Sequence, residues 1–290
     1  MPVQPEAFFL PIGPEGNGQR FCLYYPAVAG MLRGLVLYVH PFAEEMNKSR
    51  RMAALQARAL AAAGYSVLQI DLLGCGDSSG DFGDATWQDW INDVVAGAQW
   101  LRKRASPAVN GQCAASLWLW GLRAGCLIAA QASRKLDEPC NFLFWQPPSA
   151  GKQLLQQFLR LKVAGDMLAG QSKGVMDGMR QELAGGKSVE VAGYMLSPGL
   201  ASGLESADLA PAASVDGPTR VEWLEVSTRE DATLSPVSVK TLAQWQESGF
   251  QVASHIAPGP AFWQTTEIED APALIEATIA AISTPIGAAA

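Results

Sequence analysis

The chain has 290 residues, of which 49% are hydrophobic and 17% are charged, and its formal net charge at pH 7 is −7. This size and composition predict one large globular domain, or a core domain with an inserted segment. The acidic balance argues against binding to nucleic acid or to an anionic membrane surface.

The cysteines are scattered and include no CxxC pair, so they are expected to be buried free thiols in a reducing compartment. Neither a metal ion nor a cofactor is expected. The first residues lack the basic and apolar regions of a signal peptide, and no apolar run approaches the roughly 18 residues of a membrane helix. The chain is therefore expected to be cytoplasmic, without membrane insertion. The five cysteines are Cys22, Cys75, Cys113, Cys126 and Cys140.

The first part of the chain alternates strand-like and helix-like segments. Residues 19–27 fit an edge strand or a hairpin arm. The run RGLVLYVHPF fits a buried parallel strand that ends at His40. A helix is predicted over residues 48–63, and the second buried strand that follows opens at Asp71 into a glycine-rich loop.

The same alternation continues. An amphipathic helix is predicted from Thr86, which fits its N-cap. The strand-like run WLWGL comes next, then a helix of small residues to about Lys135, and then the strand CNFLFWQP. Strands that alternate with helices imply right-handed crossovers and a mostly parallel sheet with helices on both faces. The predicted fold class is α/β.

Residues 149–210 interrupt this pattern. A helical segment, GKQLLQQFLRLKVAGDML, is followed by glycine-rich polar stretches, which we interpret as a partly mobile cap or lid over the strand ends. The pattern resumes with the strand TRVEWLEVS, a helix, the strand FQVASHIA and a last helix, and the tail STPIGAAA is expected to fray. The predicted domains are a core in two parts, 1–148 and 211–290, with the cap at 149–210 between them.

The stretch WLWGLRAGCLIAA, residues 118–130, has the layout of a nucleophile elbow. A hydrophobic strand meets Gly121 and Gly125, whose small size allows a sharp turn into a helix. The position between them that holds serine, cysteine or aspartate in such elbows holds Arg123.

With these elements in place, the chain resembles the α/β-hydrolase superfamily over nearly its whole length. HPF at 40–42 resembles the loop that supplies an oxyanion-hole amide, DLLGCGDSSG resembles a D-x-x-G-x-G-x-S-x-G run of such hydrolases, and REDATLSP at 229–236 resembles the acid-bearing loop. Taken together, HPFAEEMNKSRRM, GLRAG and GPAFWQ resemble the hydrolase 2 associated with the exosortase A system, from bacterial exopolysaccharide gene clusters. This resemblance implies an α/β-hydrolase fold and a hydrolase acting on an ester or thioester.

The resemblance also implies a triad in the chain order nucleophile, acid, histidine. Arg123 occupies the nucleophile position, and a guanidinium with a pKa above roughly 12 cannot attack a carbonyl. Asp231 fits the acid position, with Glu230 beside it. Ala261 falls at the base position, with Pro260 as the alternative. Two of the three triad positions are therefore predicted to be lost.

Five other side chains could carry displaced chemistry, and a structural role is preferred for each. Cys126 lies about one helical turn beyond Arg123 and is expected to be a buried small hydrophobe. Ser78 and Ser79 suit a turn. His255 lies inside the last predicted strand, and His40 is expected to orient its loop.

Arg123 leaves two hypotheses. In the first, the amides of Phe42 and Ala124 face the same small volume as the guanidinium, at a helix N-terminus, and the pocket binds an anion. In the second, Arg123 plugs the former site through internal ion pairing, because a lone buried arginine is very costly. The second is preferred, and the two can coexist if a ligand competes for the guanidinium. The expected acidic partner is one of Asp231, Glu44 or Glu45.

The segment HPFAEEMNKSRRM is interpreted first as a solvated loop with Asn47 or Ser49 as the N-cap of the next helix. In the second interpretation, His40, Glu44 and Glu45 lie at a pocket mouth.

The predicted function is a non-catalytic or weakly active component that binds a small acyl or anionic ligand, or a protein partner, in an exopolysaccharide pathway. The alternative is a working esterase, thioesterase or acyltransferase with an unrecognised nucleophile. A third hypothesis is a regulator that pairs with a cognate hydrolase.

Overall fold

A computed structural model describes residues 4–13, 18–28, 32–105, 115–168, 174–211 and 219–284. The strands are β1 (Glu6–Ile12), β2 (Gly18–Tyr25), β3 (Gly34–Val39), β4 (Tyr65–Ile70), β5 (Leu117–Leu122), β6 (Asn141–Trp145), β7 (Val189–Val191), β8 (Tyr194–Leu196), β9 (Arg220–Ser227) and β10 (Gln251–Pro258). The helices are α1 (Glu44–Ala62), α2 (Trp87–Ala105), α3 (Ala124–Ser133), α4 (Gly151–Leu168), α5 (Val175–Ala184), α6 (Pro198–Ser206), α7 (Pro236–Glu247) and α8 (Pro272–Ser283).

Eight of these strands form one sheet in the order β1-β2-β4-β3-β5-β6-β9-β10. The six strands from β4 to β10 in this order are parallel, and β2 joins them antiparallel to β4. The predicted α/β class with a mostly parallel sheet is confirmed. The strand predicted near residues 19–27 is a hairpin arm and does not lie at the edge, because β1 pairs with it in antiparallel fashion and takes the edge position.

Hydrophobic side chains cover the sheet on both faces, as expected for parallel strands that connect through helices. Every residue of β3 and of β5 is buried. On one face Leu37 and Leu119 join a cluster with Trp90 of α2. On the other face Tyr38 and Trp120 join a second cluster, which includes side chains of α1 and α8. The carboxyl ends of β3, β5 and β6 therefore meet at one edge of a well-packed sheet, where the candidate site lies.

Helix α1 starts at Glu44, four residues before the predicted start. Its N-cap residue is Ala43, which makes no side-chain capping bond, so neither Asn47 nor Ser49 is the cap. Ser49 instead donates a hydrogen bond from Oγ to the carbonyl of Glu45 at 2.7 Å. Two carboxylates in the first turn interact favourably with the helix dipole, which supports the earlier start. Thr86 does cap α2, since its Oγ1 accepts a bond from the Asp89 amide at 3.2 Å.

The chain between β6 and β9 contains α4, α5, the β7–β8 hairpin and α6. The sequence predicted only the first of these and took the rest as polar stretches. The later elements depend on local turn chemistry: Ala192 and Gly193 both have positive φ in the two-residue hairpin turn, and Ser197 caps α6 by accepting from the Leu200 amide. The Ser197 hydroxyl also donates to the Ala85 carbonyl at 2.6 Å, which fixes α6 against the core.

Within the described ranges, the helices include none that is long and apolar enough to cross a membrane. The same ranges contain no group of three or more histidine, cysteine, aspartate or glutamate side chains that could hold a metal ion. The predicted frayed tail begins at Ser283, which is instead the last residue of α8, and its remainder from 285 onward lies outside the described residues. Of the AGQSKG stretch, residues 169–173 lie outside them as well.

Candidate functional site

The turn between β5 and α3 has the geometry of a nucleophile elbow. Arg123 at its apex has φ 54° and ψ −118°, a conformation that is strained for any residue with a side chain. A Cβ on Gly121 would lie 2.5 Å from the Cys126 amide nitrogen, and one on Gly125 would lie 2.1 Å from the Val39 carbonyl oxygen. Only glycine at both positions lets α3 approach the sheet this closely.

The Arg123 guanidinium is held by two neighbouring elements. Its Nε donates to Glu45 Oε1 of α1 at 3.3 Å, and Nη2 forms an ion pair with the same oxygen at 3.2 Å. Nη2 also donates to Gln157 Oε1 of α4 at 3.0 Å, and the guanidinium carbon lies 5.8 Å from the centre of the Trp263 ring. The side chain is only 11% exposed. Arg123 therefore links α1, α4 and the loop after β10 across the apex of the elbow.

Glu45, the ionic partner of Arg123, lies in a poorly solvated environment. The pKa of its carboxyl is raised from 4.5 to about 7, mainly by burial and also by the nearby Glu44, whereas Arg123 and Gln264 limit the rise. Its second oxygen, Oε2, is buried and has no hydrogen-bond partner among the described residues. Near neutral pH this ion pair thus has a carboxylate that is poised between its charged and neutral forms.

A pocket with a volume of about 430 Å³ opens beside this pair. Its polar lining comes from α1, α4 and the loop after β10, through the side chains of Glu44, Glu45, Lys48, Gln157 and Gln264. Burial also raises the pKa of Glu44, partly offset by Lys48. The sequence pattern did not indicate Lys48, Gln157 or Gln264 as pocket residues, because a single lysine or glutamine on a helix or loop carries no distinctive signal.

The remaining walls of the pocket are apolar. Phe42 lies on one side, with Leu154, Phe158 and Leu161 of α4 opposite, and Trp263 completes the lining. The rings of Phe42 and Phe158 meet edge to face with centroids 5.1 Å apart. The pocket thus combines five apolar and five polar lining residues, and a cleft that offers both kinds of surface can bind a small molecule.

The two residues predicted to supply oxyanion-hole amides each lie next to a helix N-terminus at this edge of the sheet. Ala124 is the first residue of α3. Phe42 precedes Ala43, whose φ of 51° and ψ of −126° nearly match those of Arg123. Their joint role in binding an oxyanion stays a prediction.

His40 is buried in the loop after β3, and both ring nitrogens are engaged there. Nδ1 donates to the Pro41 carbonyl at 2.8 Å, and Nε2 accepts from the Leu72 amide at 3.2 Å. Burial lowers the pKa of this imidazole, which favours the neutral form that these bonds require. His40 thus has no free ring nitrogen for accepting a proton from a substrate.

The residues predicted for the acid and base positions bond to partners other than Arg123. Asp231 has an 81% exposed side chain and pairs with Arg229 at 3.3 Å. Of the three proposed acidic partners, the one that pairs with Arg123 is Glu45. Ala261 lies in the turn after β10, where its carbonyl accepts from the Gln264 amide at 2.8 Å, two residues before Trp263 of the pocket.

Cys126 and His255 are each held by neighbours. The Cys126 thiol is fully buried and points to the Trp145 carbonyl at 3.6 Å, and burial raises its pKa well above the ordinary value. His255 lies within β10 and contacts Glu222 Oε2 at 3.0 Å through Nε2. Glu222 also pairs with Arg220. These contacts fit structural roles for both residues.

Ser78 and Ser79 tie the glycine-rich loop after β4 to the β1–β2 hairpin. The Ser78 hydroxyl donates to the Asp71 carbonyl at 2.6 Å and accepts from the Phe21 amide at 2.9 Å. Ser79 Oγ accepts from the Gln19 amide at 2.9 Å. Both hydroxyls therefore form hydrogen bonds that hold the loop in place.

Comparison with known proteins finds sequence similarity in part of the chain. Residues 22–121 match the family model of X-Pro dipeptidyl-peptidase (S15 family). This match covers about a third of the chain and ends before Arg123. Protein ABHD12B of Homo sapiens is 27% identical over 126 residues, which are 43% of this chain and 31% of that protein. The chain thus matches about a third of the length of this curated relative.

Several solved structures are similar over nearly the whole chain. Est1E from Butyrivibrio proteoclasticus with bound ferulic acid has a TM-score of 0.65 and 15% identity, covering 95% of this chain and 98% of that one. A soluble variant of monoglyceride lipase from Saccharomyces cerevisiae has a TM-score of 0.58 and 13% identity, covering 97% and 94%. The serine hydrolase XC6422 from Xanthomonas campestris has a TM-score of 0.53 and 16% identity, covering 98% and 99%. The chain has the α/β-hydrolase fold.

Proposed function

We propose that the chain is a binding protein on an α/β-hydrolase fold, with no hydrolase activity or only a very weak one. The observation that carries this proposal is the ion pair of Arg123 with Glu45 at the elbow apex. A guanidinium has no lone pair with which to attack a carbonyl, and here it fills the space over the elbow where a substrate would approach.

The environment of the elbow supports the same conclusion. A serine-type mechanism needs a base within hydrogen-bond reach of the nucleophile. The chain has two histidines. His40 uses both ring nitrogens within its own loop, and His255 pairs with Glu222 inside β10. The buried thiol of Cys126, with its raised pKa, is a poor replacement nucleophile.

Its ligand would be a small acyl or anionic molecule, or a protein of an exopolysaccharide pathway, as the resemblance to the exosortase A-associated hydrolase 2 suggests. An anion that binds Arg123 must compete with Glu45, which already neutralises the guanidinium. Protonation of Glu45 would ease that competition, because the raised pKa of this carboxyl lies near neutrality.

The second candidate function is an esterase, thioesterase or acyltransferase with an unrecognised nucleophile. The observation that favours it is the strained backbone at Arg123, since strain of this kind is concentrated at functional sites.

Hydrolysis assays distinguish the two candidates. The purified protein would be tested on p-nitrophenyl esters and acyl thioesters of several chain lengths, beside Arg123→Ala and the matched control Arg229→Ala, whose side chain is 74% exposed. We expect no turnover above background from any of the three proteins. Turnover that Arg123→Ala abolishes and Arg229→Ala preserves would overturn the proposal in favour of a rewired active site.

A further inference from the structure

We infer that a second pocket, between α1 and the strands β2, β3 and β4, binds a small apolar molecule that carries one hydroxyl group. The volume of this α1–β4 pocket is about 180 Å³, and a cavity of roughly 150 Å³ is enough to hold benzene. No described residue lines both the α1–β4 pocket and the pocket beside Arg123. The inference therefore adds a site to the proposed function and does not depend on it.

The walls of the α1–β4 pocket are mostly apolar. Side chains from three elements form them: Met46, Ala53 and Ala54 of α1, Phe21 and Leu23 of β2, and Ile70 of β4. Phe21, Leu23 and Ala54 are only half-buried. A ligand with an apolar body would cover these three side chains and remove their surface from water, which favours binding.

The polar part of the lining includes a tyrosine hydroxyl without a partner. Tyr38 of β3 lines the pocket and is only 5% exposed. Its hydroxyl forms no hydrogen bond with the residues that the structure describes, but the oxygen is not fully enclosed, so a ligand can reach it. Burial raises the pKa of this hydroxyl, so it stays protonated and can both donate and accept. A buried hydroxyl without a bond is costly, which points to a ligand that supplies one.

An ion pair in the same lining has unused bonding capacity. Arg50 Nη2 donates to Asp71 Oδ2 at 2.9 Å, and the Asp77 amide donates to the same oxygen at 3.3 Å. Among the described residues, neither Asp71 Oδ1 nor Nε and Nη1 of Arg50 have a hydrogen-bond partner. The charges of Arg50 and Asp71 both act on the Tyr38 hydroxyl, where Arg50 lowers the pKa and Asp71 raises it. These three side chains therefore lie at one end of the pocket.

The other two polar lining residues are already engaged. His40 uses both ring nitrogens within its own loop. Gln69 Oε1 accepts from the Tyr25 hydroxyl at 3.5 Å, and Gln69 Nε2 is enclosed and cannot reach a ligand. Recognition of a polar group is therefore assigned to Tyr38, Arg50 and Asp71.

The opposite charges of Arg50 and Asp71 select against a charged ligand. A carboxylate would be repelled by Asp71, and an ammonium group would be repelled by Arg50. A hydroxyl group can donate to Asp71 Oδ1 while it accepts from Tyr38 or Arg50, whereas a carbonyl group can only accept. The ligand is therefore assigned a hydroxyl group on an apolar body of about one ring.

An NMR titration at pH 7.5 tests this inference through Met46, which lines the pocket. In protein with ¹³C-labelled methionine methyl groups, the Met46 signal among the eight methionines is identified by its loss in Met46→Leu. The probes are p-cresol, toluene, p-toluate and 4-methylbenzylamine, which share the ring and its methyl group. We expect p-cresol to shift the Met46 signal through its ring current and to bind most tightly. An unmoved Met46 signal, or tighter binding of another probe, would overturn the inference.

A first variant tests the contact with the hydroxyl group of the ligand. Tyr38→Phe removes one hydroxyl from the pocket and keeps the ring. It should weaken p-cresol binding about three- to tenfold and leave toluene binding unchanged. Equal affinity of p-cresol for Tyr38→Phe and for the wild type would overturn the assignment of the head group.

A second variant tests the location of the apolar body. Ala54→Leu adds a branched side chain to the wall of the pocket and should abolish the binding of both p-cresol and toluene. The matched control Ala62→Leu, at an exposed position of the same helix, should bind both probes like the wild type. Unchanged binding to Ala54→Leu would place the ligand outside the pocket and refute the inference.

Discussion

Replacing Glu45 with glutamine tests the environment that holds Arg123. The pKa of the Glu45 carboxyl is about 7 in the folded protein, against an ordinary value of 4.5. The folded state therefore binds this proton more tightly than the unfolded state. Below pH 4.5 the Glu45 carboxyl is protonated in both states and does not lower the stability of the fold. The folded protein loses stability as the pH rises from 4.5 to about 7, and it loses no more above pH 7. At about 1.4 kcal/mol per pKa unit, the full cost is about 3 kcal/mol.

Glutamine keeps the shape of the side chain and an acceptor oxygen for Arg123, but it does not titrate. Glu45→Gln should therefore be more stable than the wild type, by about 1 kcal/mol at pH 5 and by about 3 kcal/mol at pH 8. The assay is urea unfolding of both proteins at pH 5, 6, 7 and 8. The pH dependence of every other group cancels in the difference, and the exposed control Glu190→Gln should stay within about 0.5 kcal/mol of the wild type.

Two results would refute this reasoning. A difference that does not change between pH 5 and pH 8 would mean that the folded and unfolded states bind the Glu45 proton equally well. A variant that is less stable than the wild type at pH 8 would mean that the ion pair with Arg123 outweighs the cost of burying the carboxylate.

Three further changes have defined outcomes. Gly125→Ala should destabilise the fold by about 2–4 kcal/mol in chemical unfolding, because the new Cβ would lie 2.1 Å from the Val39 carbonyl oxygen. The control Gly165→Ala in α4, where a Cβ would meet no atom within 4 Å, should be neutral or stabilising. Arg123→Ser should remain inactive on p-nitrophenyl acetate, and Arg123→Ser/Ala261→His should exceed it; equal rates would show that Ala261 is not at the base position. Ellman's reagent should react rapidly with at most one of the five thiols of the native protein. The four thiols that the structure describes are buried and have raised pKa values, which slows their reaction. Fast reaction of two or more thiols would contradict that burial.

The core of the fold was predictable because its strands are continuous apolar runs. All residues of β3, β5 and β6 are buried, and such runs between helical segments specify a covered parallel sheet. The strand β1 was missed because most of its residues are exposed or half-buried, so its sequence carries no comparable signal. Its position comes from antiparallel pairing with β2, which is a tertiary property.

The site was predictable only where its geometry is local. The G-x-R-x-G pattern identifies the elbow because the glycines and the turn lie within five residues. To choose Glu45 from the three candidate acidic partners of Arg123, one must know that α1 starts at Glu44. That start depends on the positive φ of Ala43, which the sequence does not indicate. The bond from Arg123 to Gln157 joins residues 34 apart in the chain, and no sequence period indicates it.

The shape of the elbow does not depend on the side chain at its apex, because packing sets it. The backbone of Arg123 is held by a bond from its amide to the Trp145 carbonyl at 3.0 Å and by the close approach of α3 at Gly121 and Gly125. None of these contacts involves the side chain at the apex. A substitution there can therefore remove chemistry while the sheet and its helices stay in place, which is how one fold can carry both active and silent members. The Arg123 guanidinium joins α1 to α4 through Glu45 and Gln157. If this link stabilises α4, Arg123→Ser should loosen that helix, and faster hydrogen exchange of the α4 amides in Arg123→Ser would register the loosening.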